Sequence, residues 1–189
     1  MPTLVVILSL IDLSLQKNMC KAPLDRGNSD CSFPREGIRW FYDSELDECF
    51  EYFYEGCDGG SNTFKNYFSC RRRCIMTDRS SCAGNTNNTG SCSNGRTCPE
   101  GSECKRKAFF SVCCDKENEE EWRKEYNPHC ELGILSMRKT SYGETTRLGR
   151  SCSHKFCPSG YECIQGNHLA YCCSEDEDEE EYELEEDDK

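Results

Sequence analysis

The chain has 189 residues, 18 of them cysteine, and a formal net charge of −12. Nearly one cysteine in ten positions excludes a reduced cytosolic protein with an ordinary apolar core. Small units with too little apolar surface are stapled by disulfides, and these persist in oxidising compartments. The expected class is therefore small, disulfide-rich, secreted and extracellular.

The charge is unevenly placed. Residues 175–189 hold twelve acids and one lysine, −11 in all, which leaves about −1 for everything before them. The Arg71-Arg72-Arg73 and Lys105-Arg106-Lys107 clusters are short and offset by nearby acids, so no nucleic-acid partner is expected. No stretch is apolar for bilayer length, so no membrane span is expected either.

In chain order, residues 1–16 read as a signal peptide. Leu4 to Leu13 is an apolar run of the right length, although no Lys or Arg precedes it and Asp12 interrupts it. The cysteines then fall into three groups of six, 20–74, 82–114 and 130–173, each even in number and able to close on itself. In the first group, Ile38 to Asp43 and Glu48 to Tyr54 carry the aromatic and β-branched residues of strands. Ser44-Glu45-Leu46-Asp47 is their hairpin connection, and Lys65 to Cys74 is a short terminal helix. Phe41, Tyr42, Tyr52, Tyr54 and Phe64 supply aromatic area to a small core. Asn62 is expected to bind buried backbone.

The second and third groups repeat one another. Cys98-Pro-Glu-Gly-Ser-Glu-Cys104 matches Cys157-Pro-Ser-Gly-Tyr-Glu-Cys163, and eight residues then lead to Cys113-Cys114 or Cys172-Cys173. The interval after the first cysteine is nine residues in one copy and twenty-one in the other, a difference that chain entropy tolerates. Fifteen pairings are open to each group, and each Cys-Cys is expected to tether two different loops. Asn87-Asn88-Thr89 is a glycosylation sequon at Asn87. Residues 115–129 read as a charged linker with a short surface helix, and 174–189 as a disordered acidic tail.

No Gly-x-Ser-x-Gly or His-Glu-x-x-His occurs, and there is no Cys-x2-Cys pair to join His129, His154 or His168. Neither an enzyme, a metal site nor a cofactor is expected.

The first group has the spacing Cys20-x10-Cys31-x17-Cys49-x7-Cys57-x12-Cys70-x3-Cys74. With Pro23, Gly27, Arg39-Trp40-Phe41-Tyr42-Asp43, Tyr52-x-Tyr54-x-Gly56-Cys57 and Gly59-Gly60-Ser61-Asn62-Thr63-Phe64, it resembles the Kunitz/pancreatic trypsin inhibitor family over about 55 residues. The resemblance implies an α+β module of twisted β-hairpin and C-terminal helix, with bridges Cys20–Cys74, Cys31–Cys57 and Cys49–Cys70. It also implies a serine-protease partner (trypsin-, chymotrypsin- or elastase-like) that meets a rigid loop, here Cys31, Ser32, Phe33, Pro34, Arg35 and Glu36.

Counting from Cys31 makes Ser32 the primary-site residue, while a bulged loop would offer Arg35. The sequence departs from the family by two extra residues on each side of Cys31 and by Glu55 in place of a usual Gly. The other two groups resemble lustrin-type cysteine-rich repeats of nematode extracellular proteins. Together the resemblances imply a Kunitz-type inhibitor in cuticle or extracellular matrix. The alternative is a non-inhibitory protein that uses the scaffold to bind matrix proteins or modulate proteases.

Overall fold

The computed structural model describes residues 19–76, 78–140 and 143–174; the expected signal peptide and nearly all of the acidic tail lie outside them. All eighteen cysteines are bridged. In the first module, β1 (Gly37–Asp43) and β2 (Glu48–Tyr54) form an antiparallel hairpin in which Phe41 faces Phe50 across the ladder. Helix α1 (Tyr67–Cys74) closes the module. It starts later than Lys65 because Asn66 caps it: its side chain accepts the Ser69 N–H at 2.9 Å, and the Ser69 hydroxyl faces the Asn66 N–H in return.

The bridges are Cys20–Cys74, Cys31–Cys57 and Cys49–Cys70. Trp40, Cys49, Phe64 and Cys70 are buried between the hairpin and α1. Asn62 accepts the Tyr42 N–H at 3.0 Å and donates to the Ala22 and Tyr42 carbonyls at 2.9 and 2.8 Å.

The other two modules share one plan. β3 (Gly90–Ser91), β4 (Ser102–Arg106) and β5 (Ser111–Asp115) form a sheet in the order β3-β5-β4. β8 (Leu148–Gly149), β9 (Tyr161–Gln165) and β10 (Ala170–Ser174) form another in the order β8-β10-β9. Both pair their cysteines first to sixth, second to fourth and third to fifth. The bridges are Cys82–Cys114, Cys92–Cys104 and Cys98–Cys113 in one module, and Cys130–Cys173, Cys152–Cys163 and Cys157–Cys172 in the other. Each Cys-Cys pair sits on a central strand, where successive side chains point to opposite faces and so reach different loops. The longer first interval of the third module carries an extra hairpin, β6 (Met137–Thr140) and β7 (Gly143–Thr146).

The three modules pack around α2 (Lys116–Tyr126), so residues 115–129 are more than a solvated linker. Glu119 accepts the Ala83 N–H of the second module at 2.8 Å, and Glu125 accepts the N–H groups of Asn167, His168 and Leu169 of the third at 3.2, 3.1 and 2.8 Å. Trp122 is 3% exposed. It shares one cluster with Phe41, Phe50 and Tyr52 of the hairpin and with Leu169. The composition of α2, dominated by charges, predicts a surface helix. Its single tryptophan instead faces inward and joins the cores.

Ion pairs add to this packing. Glu51, 3% exposed on β2, meets Arg138 at 3.3 Å and also Arg147, and the Arg138 guanidinium lies 4.5 Å from the Trp40 ring centre. Arg150 pairs with Asp43 and Glu45 at 3.1 and 3.2 Å. Among the described residues no helix is long and apolar enough to cross a membrane.

Candidate functional site

The segment from Ser29 to Glu36 is exposed throughout, and Phe33 at its crest is 86% exposed. Such an arch holds one shape only if its feet are fixed, because a free loop of this length would lose its geometry to chain entropy. Three kinds of tether fix them. Cys31 is bridged to Cys57. Asn28 and Cys57 exchange backbone hydrogen bonds at 3.0 and 2.9 Å. On the far side the Arg35 N–H donates to the Gly56 carbonyl at 3.2 Å. The Asn28 side chain adds local order: its oxygen accepts the Asp30 N–H at 2.9 Å and its amide donates to Asp58 at 2.8 Å.

Two glycines allow this close approach. Gly27 has φ +74°, and a methyl placed on it would stand 2.2 Å from the Cys57 carbonyl oxygen. Gly56 has φ +111°, and a methyl there would stand 2.7 Å from Pro34 Cβ and 2.8 Å from the Arg35 nitrogen. Both positions combine the left-handed region with contact against another strand of chain, so only glycine fits without strain.

The candidate loop residues thus divide. Ser32 and Phe33 lie at the exposed crest, next to the bridged Cys31. Pro34 and Arg35 descend against Gly56, and the Arg35 backbone is already engaged. Glu36 is exposed and leads into β1.

Glu55, the departure from the family pattern, lies beneath the arch. Its N–H donates to the Arg26 carbonyl at 2.9 Å, and its carboxylate meets the Arg26 guanidinium at 2.6 Å. That guanidinium also donates to the Phe53 carbonyl at 3.0 Å and to the Ser153 carbonyl of the third module at 2.8 Å. Sequence reasoning singled out Glu55 but not Arg26. No local pattern marks an arginine whose acceptors lie 27, 29 and 127 residues away.

His154, beside Ser153, packs edge-on to Phe41 with ring centres 5.1 Å apart. Burial, and then the charge of Arg26, hold its pKa below the usual imidazole value. Its Nδ1 is buried with no hydrogen-bond partner among the described residues.

The remaining chemistry is spare. Among the described residues, the groups with metal-like spacing are Cys92, Cys98 and Cys104, and Cys82, Cys114 and Glu119; every sulfur in them is already in a disulfide. Asn87 is exposed in the loop before β3, where Thr89 is anchored by its N–H to the Cys113 carbonyl at 2.8 Å.

Residues 19–75 match the Kunitz/bovine pancreatic trypsin inhibitor domain model. A BPTI/Kunitz inhibitor domain-containing protein of Caenorhabditis elegans is 39% identical over 173 residues, which cover 90% of this chain and 97% of that protein. The major allergen Ani s 1 of Anisakis simplex is 34% identical over 170 residues, covering 82% of this chain and 86% of its own. The Kunitz-type serine protease inhibitor Bt-KTI of Bombus terrestris is 40% identical over 57 residues, which cover 30% of this chain and 65% of that protein. With a C. elegans relative matched along almost its whole length, and with the bridged hairpin-and-helix module in place, the chain belongs to the BPTI/Kunitz inhibitor domain family.

Proposed function

We propose that the protein is a secreted inhibitor of serine proteases that offers the Asp30–Glu36 arch to the protease cleft in the manner of a substrate. One observation carries the reading: the arch is exposed along its length while both of its feet are pinned. An arch ordered before binding gives up little entropy on association. A bond attacked within it stays near its partner end and re-forms, because the bridge to Cys57 holds the pieces together.

Within the arch, Ser32 is proposed to face the primary specificity pocket. Its position after Cys31 at the crest supports this over Arg35, whose backbone is tied to Gly56. A serine suits a small, elastase-like pocket and leaves a trypsin-like one unfilled. Nine bridges and the sequon at the exposed Asn87 support an exported glycoprotein. The paired cysteine-rich modules, similar to lustrin-type repeats, support a setting in cuticle or extracellular matrix.

The test is titration of the full chain against trypsin-, chymotrypsin- and elastase-type proteases. The parent should inhibit the elastase type, Ser32→Arg should shift inhibition to the trypsin type, and Arg35→Ala should change little. Absence of inhibition by the parent in all three classes would sink the proposal. A second reading, a matrix protein that binds through its scaffold without tight inhibition, draws on the exposed Phe109 and Leu132, which lie outside the arch at 87% and 70% exposure. It predicts retention on matrix proteins that survives Ser32→Arg unchanged.

A further inference from the structure

We propose that the third module is a working part of the inhibitory loop, with Arg26 as the positioning residue that joins the two. The inference rests on the reading of Asp30–Glu36 as the protease-contacting arch.

The segment Glu55–Cys57 is the floor to which both feet of the arch are fastened. One foot, Arg26 to Asn28, is held to it by the Glu55 N–H to Arg26 carbonyl bond and by the two Asn28–Cys57 bonds. The other foot is held by the Arg35 N–H to Gly56 carbonyl bond. What holds the floor level with the first foot is the Arg26 side chain. Its three nitrogens reach three acceptors on two stretches of chain: the Phe53 carbonyl and the Glu55 carboxylate at the end of β2, and the Ser153 carbonyl of the third module. The guanidinium is planar and its donors are fixed in direction, so a shift of any one acceptor is felt by the other two. Lysine has no such fork.

Ser153 is itself fixed. It lies in the short turn Cys152–His154, bridged through Cys152 to Cys163 of β9, and the neighbouring His154 ring is seated on Phe41. The third module therefore braces the foot of the arch through Arg26. Glu55 supplies the carboxylate of the strut, 2.6 Å from the Arg26 guanidinium.

The test is amide hydrogen exchange in the full chain, followed at Asn28, Arg35, Glu55 and Cys57. Arg26→Met keeps the apolar stem but removes all three bonds. It should speed exchange at those amides at least about tenfold, since hydrogen bonds to a charged group are among the stronger ones. Amides of β4 and β5 serve as the control for global folding and should not move. Arg26→Lys should fall nearer to Met than to the parent. His154→Ala, which loosens the seat of Ser153 on the first module, should speed the same arch amides although it touches none of them.

Unchanged arch amides in Arg26→Met would overturn the strut. A response to Arg26→Met with none to His154→Ala would make Arg26 a contact internal to the first module and overturn the role of the third. Parent-like exchange in Arg26→Lys would overturn the need for the fork. A second readout is proteolysis: the arch of Arg26→Met should be cut faster than the parent's by whichever protease the parent inhibits. If the parent inhibits none, the proposed function fails while the exchange result still decides the strut.

Discussion

Trp122→Ala offers the sharpest test of how the modules are joined. The indole is 3% exposed and touches the hairpin cluster of Phe41, Phe50 and Tyr52. On its other side it stacks on His168, with ring centres 4.6 Å apart and planes 17° off parallel. It also packs so closely on the second module that a methyl on Gly84 would stand 2.1 Å from its Cε2 atom. A buried tryptophan removes about 200–250 Å² from water. At about 25 cal/mol per Å², this is roughly 5–6 kcal/mol as an upper limit. Measured costs for removing such a ring run at about 3–5 kcal/mol.

Because the ring lies where three modules meet, the loss should weaken their docking more than any one module's own fold. Each module keeps its three bridges. The expected calorimetric result is a melting point lower by roughly 6–20 °C for a chain of this size, with one transition broadening into two or more. Phe109→Ala, at 87% exposure, should change stability by no more than about 0.5 kcal/mol. A Trp122→Ala protein that loses less than about 1 kcal/mol and still melts in a single transition would refute the argument that α2 unites the cores.

Further outcomes follow from the ion pairs, the glycines and the histidine. Glu51→Ala leaves Arg138 and Arg147 facing a buried site without their shared carboxylate, and should cost about 3–5 kcal/mol in urea unfolding; a loss no larger than a surface pair gives would contradict it. Gly56→Ala should cost about 1–3 kcal/mol from its left-handed backbone alone and should raise the inhibition constant for the protease the parent inhibits, because Pro34 and Arg35 must move away.

His154 carries the pH dependence. Its folded pKa is depressed by burial and by Arg26 and Arg150, against an opposing pull from Asp43. The unfolded chain therefore takes up the proton first as pH falls. Stability is unaffected well above about 6.5, begins to fall below it, and levels off only once pH passes below the folded value. Urea midpoints measured from pH 7.5 to 5 should show this loss in the parent and not in His154→Gln. Equal slopes in both would remove His154 as the source.

What the sequence made legible is what is local. The hairpin limits lie in short patterns of aromatic, β-branched and turn residues, Gly27 and Gly56 were marked by the family resemblance, and disulfide geometry alone implied that each Cys-Cys pair reaches two loops. The equivalence of the second and third modules was visible in Cys-Pro-x-Gly-x-x-Cys, although nothing there selected one pairing from fifteen. The missed features are those created by contacts between modules. Arg138, Arg147 and Arg150 look like ordinary surface cations until β6, β7 and the approach to the Cys152 turn bring them against Glu51, Asp43 and Glu45. Trp122 sits in a run of charges whose composition says solvent. Such residues have partners more than forty positions away, and a periodicity argument reads only a few turns or one strand.

The twelve additional residues in the first interval of the third module illustrate why loop length and loop role must be argued separately. Chain entropy makes such an insertion inexpensive, so its presence implied nothing about use. In the fold, that interval forms the β6–β7 hairpin and supplies Arg138 and Arg147 to a carboxylate buried on the opposite face of the first module's hairpin from Phe41 and Tyr52. The two arginines give this buried carboxylate the partners that burial of a polar group requires. The third module therefore grips both faces of β2: Leu169 joins the cluster on one and the two arginines meet Glu51 on the other. Through Ser153 it also meets Arg26 at one foot of the arch. A module held on two faces cannot rotate away from the loop without breaking a buried ion pair. This is why the rigidity of the arch is expected to depend on residues more than a hundred positions downstream of it.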